Sequence, residues 1–154
     1  NTAVPNDFGV GTQFTYTVKK GDTLGHISQR FLGTASKWNL IADQNNIVDP
    51  TKILIGTKLN MTIIDEESAV LAAYQLQPER LIKVQSGDAL SKIAQRELGS
   101  TKDWKYIWGA NKTQISNPNK IVVGQVLKFK DISSLKSKFS GVDIARILEK
   151  QFNM

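Results

Sequence analysis

The stretch VKKGDTLGHISQRFLG occupies residues 18–33, and VQSGDALSKIAQRELG stands 66 positions later at residues 84–99. The two keep Gly-Asp, Gln-Arg and Leu-Gly and change much of what lies between. The match extends beyond the quoted segments. Gly21, Asp22, Leu24, Ile27, Gln29, Arg30, Leu32, Gly33, Trp38, Ile41 and Asn45 meet Gly87, Asp88, Leu90, Ile93, Gln95, Arg96, Leu98, Gly99, Trp104, Ile107 and Asn111. After that Asn the offset becomes 68, and Pro50, Lys52, Ile53, Gly56 and Leu59 meet Pro118, Lys120, Ile121, Gly124 and Leu127. One two-residue loop insertion accounts for the change. Identities that fall on turn and apolar positions are the mark of one folded unit written twice.

Each copy predicts the same order of elements. FTYTV and LIKV alternate apolar with polar residues or carry β-branched ones, and read as short strands. Gly-Asp follows as a turn. Leu24, Ile27 and Phe31, and likewise Leu90, Ile93, Ala94 and Leu98, then recur at helical spacing. Gly33 and Gly99 suit a left-handed helix end. A second helix is expected over 37–45 and 103–111, and GTKLNM or GQVLKF closes the unit with a strand. The fold class is therefore α+β, with two βααβ modules at 14–63 and 81–130. Both Asp22 and Thr23 could cap the first helix, but the second copy has Ala89 in place of Thr23. The duplication thus favours Asp22 and Asp88 as the shared caps, each contributing about 1 kcal/mol. Substituted positions, such as His26 against Lys92 and Phe31 against Glu97, read as faces the fold does not fix.

Outside the modules, residues 1–13 form an N-terminal arm. Residues 64–80 form an acidic linker whose core, DEESAVLAAYQLQPE, is expected to be a short connecting helix, the alternative being a flexible tether. Residues 131–154 are expected to be a C-terminal amphipathic helix. Ile144, Ile147, Leu148 and Phe152 share one face, and Asp143 is placed to cap it. That face has two readings: it lies on the second repeat, or it anchors the chain in a partner's groove. Under the anchor reading, deletion after Asp131 spares ligand binding and abolishes assembly.

Composition bounds the rest. The chain of 154 residues has a net charge of +6 and no cysteine, so no disulfide or thiolate metal site is available. Residues 14–63 carry six basic and three acidic groups, 81–130 carry nine and three, and 64–80 carry one and four. A basic excess of this kind suits an anionic polymer. No apolar run approaches the roughly 20 residues of a membrane helix, so no membrane span is expected. The chain opens on Asn1 rather than Met, from which removal of preceding residues is expected.

The segments KKGDTLGHISQRFLGTASKWNLIADQNNIVDPTKILIGTKLNM and QSGDALSKIAQRELGSTKDWKYIWGANKTQISNPNKIVVGQVLKFK resemble LysM (lysin motif) modules. Gly-Asp-Thr-Leu, the Asn ending the second helix, and Pro…Ile…Gly…Leu stand in the family's order. The Leu-Gly-x5-Trp insertion resembles the variant of bacterial envelope-stress proteins and of tail or baseplate proteins of phages and contractile injection systems. The resemblance implies cofactor-free binding of β-linked N-acetylglucosamine chains, in peptidoglycan or chitin. The implied groove lies between the loop before the first helix and the loop before the last strand. In the first copy it implies Gly21, Asp22, Thr23 and Leu24 against Asn46, Ile47, Pro50, Ile53 and Leu54. In the second it implies Gly87, Asp88, Ala89 and Leu90 against Ile115, Asn117, Pro118, Ile121 and Val122. A cell-envelope location, in periplasm or wall, follows from this reading. The alternative is a structural adaptor in a virion or contractile-tail baseplate, contacting tail proteins through Ile144, Ile147, Leu148 and Phe152.

An enzyme is not expected. The lone His26 faces Lys92 in the other copy, and a glycosidase needs two carboxylates flanking one bond, whereas each copy supplies one shared Asp. No Ser-His pairing, metal-ligand cluster or phosphate loop stands out. Nucleic acid is not an expected partner, because no recognition helix or basic-aromatic sheet pattern is present. Trp38 and Trp104 read as core or inter-helix packing rather than sugar stacking, and Trp108, matched by Ala42, as a local surface feature.

Overall fold

The computed structural model describes residues 8–152. Residues 1–7 of the expected arm and 153–154 of the expected C-terminal helix lie outside the described residues. The chain divides into two compact units, with the boundary between Leu76 and Gln77.

The first unit runs β1 (Gln13–Thr17), α1 (Leu24–Leu32), a 3₁₀ turn (Ala35–Lys37), α2 (Trp38–Gln44), β2 (Lys58–Thr62) and α3 (Glu66–Gln75). The second runs β3 (Arg80–Lys83), α4 (Leu90–Leu98), a 3₁₀ turn (Thr101–Asp103), α5 (Trp104–Ala110), β4 (Val126–Phe129), α6 (Ser133–Lys138) and α7 (Ile144–Gln151). In each unit the two strands pair antiparallel. Tyr16 stands opposite Leu59 in the first, and Ile82 opposite Leu127 in the second. Both units are thus βααβ modules, and both are extended at their C-terminal side by helix.

Alternation in β1 and β2 turns Phe14, Tyr16, Leu59 and Met61 to the core side, and Leu24, Ile27 and Phe31 of α1 are buried with them. The second unit buries Leu90, Ile93, Ala94, Ile107, Leu127 and Phe129 in the same way. The shared Asn locks helix to sheet. Asn111 Nδ2 donates to the carbonyls of Ile107 and Lys128, and its Oδ1 accepts from Lys128 N. Asn45 repeats this with Ile41 and Asn60. A short amide that reaches both ends of an α–β junction explains why Asn ends the second helix in both copies.

The helix caps differ from the sequence expectation. α1 begins at Leu24, so the cap position falls on Thr23, whose Oγ1 accepts from His26 N at 3.0 Å. Ala89 holds the same position before α4 and supplies no side-chain cap. Asp22 and Asp88 lie one residue too early. They fold back over the preceding turn and accept from Lys19 N and Gln85 N, both at 2.8 Å. That turn needs its glycine: Gly21 and Gly87 sit at φ 86° and 84°, where a β-carbon is strained. The same carboxylates pair with an arginine two turns along the helix, Arg30 at 2.7 Å and Arg96 at 3.1 Å. The conserved spacing Gly-Asp…Gln-Arg between the copies is therefore a turn-to-helix brace.

The units also differ where the copies diverge. Phe31 rests on Phe14 and Tyr16, with ring centroids 5.5 and 5.2 Å away. In the second unit the counterparts of Phe14 and Phe31 are Arg80 and Glu97, which pair at 2.6 Å. The substitution is a coupled exchange of an aromatic contact for an ion pair, so the fold does fix this position. The surroundings of α1 differ too, through α3. It packs on α1, is capped by Asp65 and Ser68 in a reciprocal box, and buries Val70 and Leu71 completely. Gly33 ends α1 at a left-handed φ of 89°, where a β-carbon is strained, and the movable Glu67 carboxylate of α3 lies over it. The acidic stretch is thereby part of the first unit's core.

In the second unit the covered helix is α5. The expected single C-terminal helix is two, interrupted at Gly141, which has φ 86°. Ile144, Ile147 and Leu148 are at most 6% exposed, and Ile132 and Leu135 are buried with them. Lys136 pairs with the buried Asp103 at 2.7 Å, Lys105 with Glu149 at 2.7 Å, and Lys112 Nζ donates to the Phe152 carbonyl. The Phe152 ring lies 6.4 Å from that of Tyr106. The partner-anchor reading of Ile144, Ile147, Leu148 and Phe152 is corrected accordingly. Their apolar face is already occupied by the module that precedes them.

Candidate functional site

Each module presents a cleft, and the two are built from matching positions. The first, about 420 Å³, is lined by Asp22, Thr23, Leu24, Gly25, Trp38, Pro50, Thr51 and Ile53. The second, about 370 Å³, is lined by Asp88, Ala89, Leu90, Ser91, Trp104, Pro118, Asn119 and Ile121. Both volumes fall in the range of roughly 300–1,000 Å³ typical of small-ligand sites.

Local chemistry places the two walls. One wall is the Gly-Asp turn just described, which carries the first residues of α1 or α4. The other is the loop before the closing strand, held by an Asx turn. Asp49 Oδ1 accepts from Thr51 N and Oγ1, and Asn117 Oδ1 accepts from Asn119 N. Pro50 and Pro118 occupy the middle of these turns, where a preset φ costs nothing. The loop is then stitched to the opposite strand. Gly56 N donates to Val18 O and Gly124 N to Val84 O, each at 2.8 Å. The α2 or α5 N-terminus adds a tryptophan.

The carboxylates at the cleft edge are engaged. Burial pushes Asp22 up, but the hydrogen bonds from Tyr16 and Lys19 and the Arg30 guanidinium outweigh it and hold the acid below its ordinary range. The hydrogen bond from Arg96, with that of Gln85 N, lowers Asp88 likewise. Tyr16 donates to Asp22 at 2.5 Å. Both acids are therefore anionic braces at neutral pH. Each cleft offers one carboxylate, already paired with a cation. Among the described residues no cluster of His, Cys, Asp and Glu could hold a metal ion, and no helix is long and apolar enough to cross a membrane.

Of the expected site residues, Asp22, Thr23, Leu24, Pro50 and Ile53 line the first cleft, and Asp88, Ala89, Leu90, Pro118 and Ile121 the second. Gly21 and Gly87 shape the turn behind the wall. Ile115 is only 2% exposed, and its carbonyl accepts from Trp108 Nε1, so it is core. Leu54 and Val122 are well exposed at a turn tip rather than in the cleft lining. Asn46 takes a left-handed φ of 55° that ends the helix, Ile47 N returns to Ala42 O, and Asn117 is spent on its own turn. Trp38 and Trp104 both line a cleft; Trp38 is 39% exposed rather than core, while Trp104 packs on Trp108 as expected of a packing residue. Gly25, Ser91, Thr51 and Asn119 were missed. Adjacency to the turn motifs was the available signal.

A duplicated βααβ module with a shallow cleft between the first-helix turn and the closing-strand loop defines a small binding module. The LysM domain profile matches residues 16–62 and 82–130, and the chain belongs to that family. Similar proteins include the esterase Rv1288 of Mycobacterium tuberculosis, 34% identical over 112 residues, covering 73% of this chain and 21% of that protein. The cell wall-binding protein YocH of Bacillus subtilis is 36% identical over 95 residues, 60% of this chain and 27% of YocH. The potassium binding protein Kbp of Escherichia coli is 32% identical over 77 residues, 50% of this chain and 52% of Kbp. The chain spans about half or less of the length of these relatives.

Proposed function

We propose that the chain is a non-catalytic glycan-binding protein of the cell envelope that recognises an N-acetylglucosamine-containing polymer, peptidoglycan foremost, through its two clefts. The observation that carries this reading is the double construction of one cleft, from the same turn, helix start, proline loop and tryptophan. The chemistry suits the ligand. An N-acetyl group has one amide donor, one carbonyl acceptor and one methyl. Leu, Pro, Ile and Trp cover methyl and ring faces, while backbone groups of the two loops pair with the amide. Each cleft is shallow, so each site is weak. Two sites on one polymer gain through effective concentration. The name of YocH and the family's glycan-binding character support the same reading.

Catalysis has no support in the cleft chemistry. Each single carboxylate is held by Arg30 or Arg96, which leaves no acid–base pair across a bond. The name of the esterase belongs to a protein of which this chain spans 21%.

Co-sedimentation with purified peptidoglycan sacculi tests the proposal. The unaltered chain is expected in the pellet at moderate salt. Ile53→Asp and Ile121→Asp each place a charge in one cleft and should each weaken retention. The double variant should stay in the supernatant. Undiminished pelleting of a folded double variant, or no pelleting of the unaltered chain even at low salt, would overturn it.

A further inference from the structure

We infer that the two clefts are unequal and that the second is the stronger site, with Trp104 as its sugar-stacking platform. The inference rests on the glycan reading above and adds which module leads and which residue sets it.

Trp38 and Trp104 hold the same place in their clefts, but their backing differs. One helical turn after Trp38 stands Ala42, which offers no ring. One turn after Trp104 stands Trp108, stacked on it with centroids 6.1 Å apart and planes 30° apart. Trp108 is itself fixed. Its Nε1 donates to the Ile115 carbonyl at 2.9 Å, and Lys112 Nζ lies 5.0 Å from its ring centroid. Ile115 is core, so the chain of supports ends in the packed interior. Lys112 is tied in turn to the Phe152 carbonyl.

A pyranose ring presents C–H groups on its faces, and a flat indole covers them without demanding a particular hydroxyl pattern. The benefit depends on how much rotamer freedom the indole loses on binding. A side chain already held between neighbours loses little, whereas a free one gives up part of its contact energy to ordering. Trp104 is held in advance by that stack, whereas Trp38, 39% exposed, has Ala42 where Trp108 would stand. The hydroxyl missing at Ala89 does not reverse this ranking. Its counterpart on Thr23 already serves as a helix cap.

Calorimetric titration of the full chain with penta-N-acetylchitopentaose tests the inference. Trp104→Leu should weaken the tighter binding about tenfold, while Trp38→Leu should leave that component within about threefold. Trp104→Phe keeps a ring and should recover most of the loss, and Trp108→Ala should weaken binding although it lines neither of the two clefts. Thermal unfolding of Trp104→Phe verifies that the comparison is made on folded protein. Binding unchanged in Trp104→Leu, a greater loss in Trp38→Leu, or no recovery in Trp104→Phe would overturn the inference while leaving the glycan reading intact. Absence of binding by the unaltered chain would sink both.

Discussion

Truncation after Asp131 is expected to unfold the second unit and leave the first folded. It removes Ile132, Leu135, Ile144, Ile147 and Leu148, each at most 6% exposed. Full burial of such side chains is worth about 1.5–3 kcal/mol apiece. Together they match the roughly 5–15 kcal/mol that holds a typical domain folded. The cut also leaves Asp103, 4% exposed, without Lys136, and an unpaired buried charge is costly. Amide spectra of the truncated chain should keep dispersed resonances for residues up to about Leu76 and collapse for those of the second module. Native dispersion throughout would show that the C-terminal helices are dispensable, and would revive the anchor reading. On this expectation the deletion removes the second cleft and leaves only the first to bind, whereas the sequence reading has it spare binding altogether.

The second large effect is expected at Asn111. Its side chain is 1% exposed and makes bonds to Ile107, Lys128 and Gln114. Asn111→Ala strands two carbonyls and an amide where water is scarce, at about 1–3 kcal/mol for each buried group left without a partner. A net loss of about 3 kcal/mol is expected. Asn45→Ala should cost less, because its bonds to Asn60 lie on an exposed edge where water replaces them. Urea unfolding with one probe in each unit measures both. Equal, small losses would mean that the shared Asn is not a clamp.

Much of the fold was legible in the sequence because duplication acts as a control. Turn glycines, helix faces and closing strands recur at fixed offsets, and chance does not repeat them. The first errors came from single-residue geometry. Asp22 and Thr23 are both good caps, and only the start of α1 at Leu24 decides between them. The Arg in both copies, eight residues after Asp, was the unread signal for the brace. The second error was in what covers an apolar face. Periodicity identifies Ile144, Ile147 and Leu148 as one face but carries no record of its neighbour, so own core and foreign groove look alike. The same blindness hid the exposure of Trp38, since a matched aromatic reads as core unless the chain around it is known to open. Most of the cleft residues followed from their nearness to the turn motifs. Leu54, Val122 and Ile115 did not, because a loop's sequence leaves open which of its residues turn inward.

The proposed function stands or falls on whether one cleft, built twice, binds N-acetylglucosamine chains. The most direct measurement is a residue-resolved map of amide shift changes on titrating an N-acetylglucosamine oligomer into the intact chain. Changes are expected to concentrate at Thr23, Gly25, Trp38 and Thr51 and at Ala89, Ser91, Trp104 and Asn119, with the second set saturating first. Changes confined to other surfaces, or a spectrum that does not move, would contradict it.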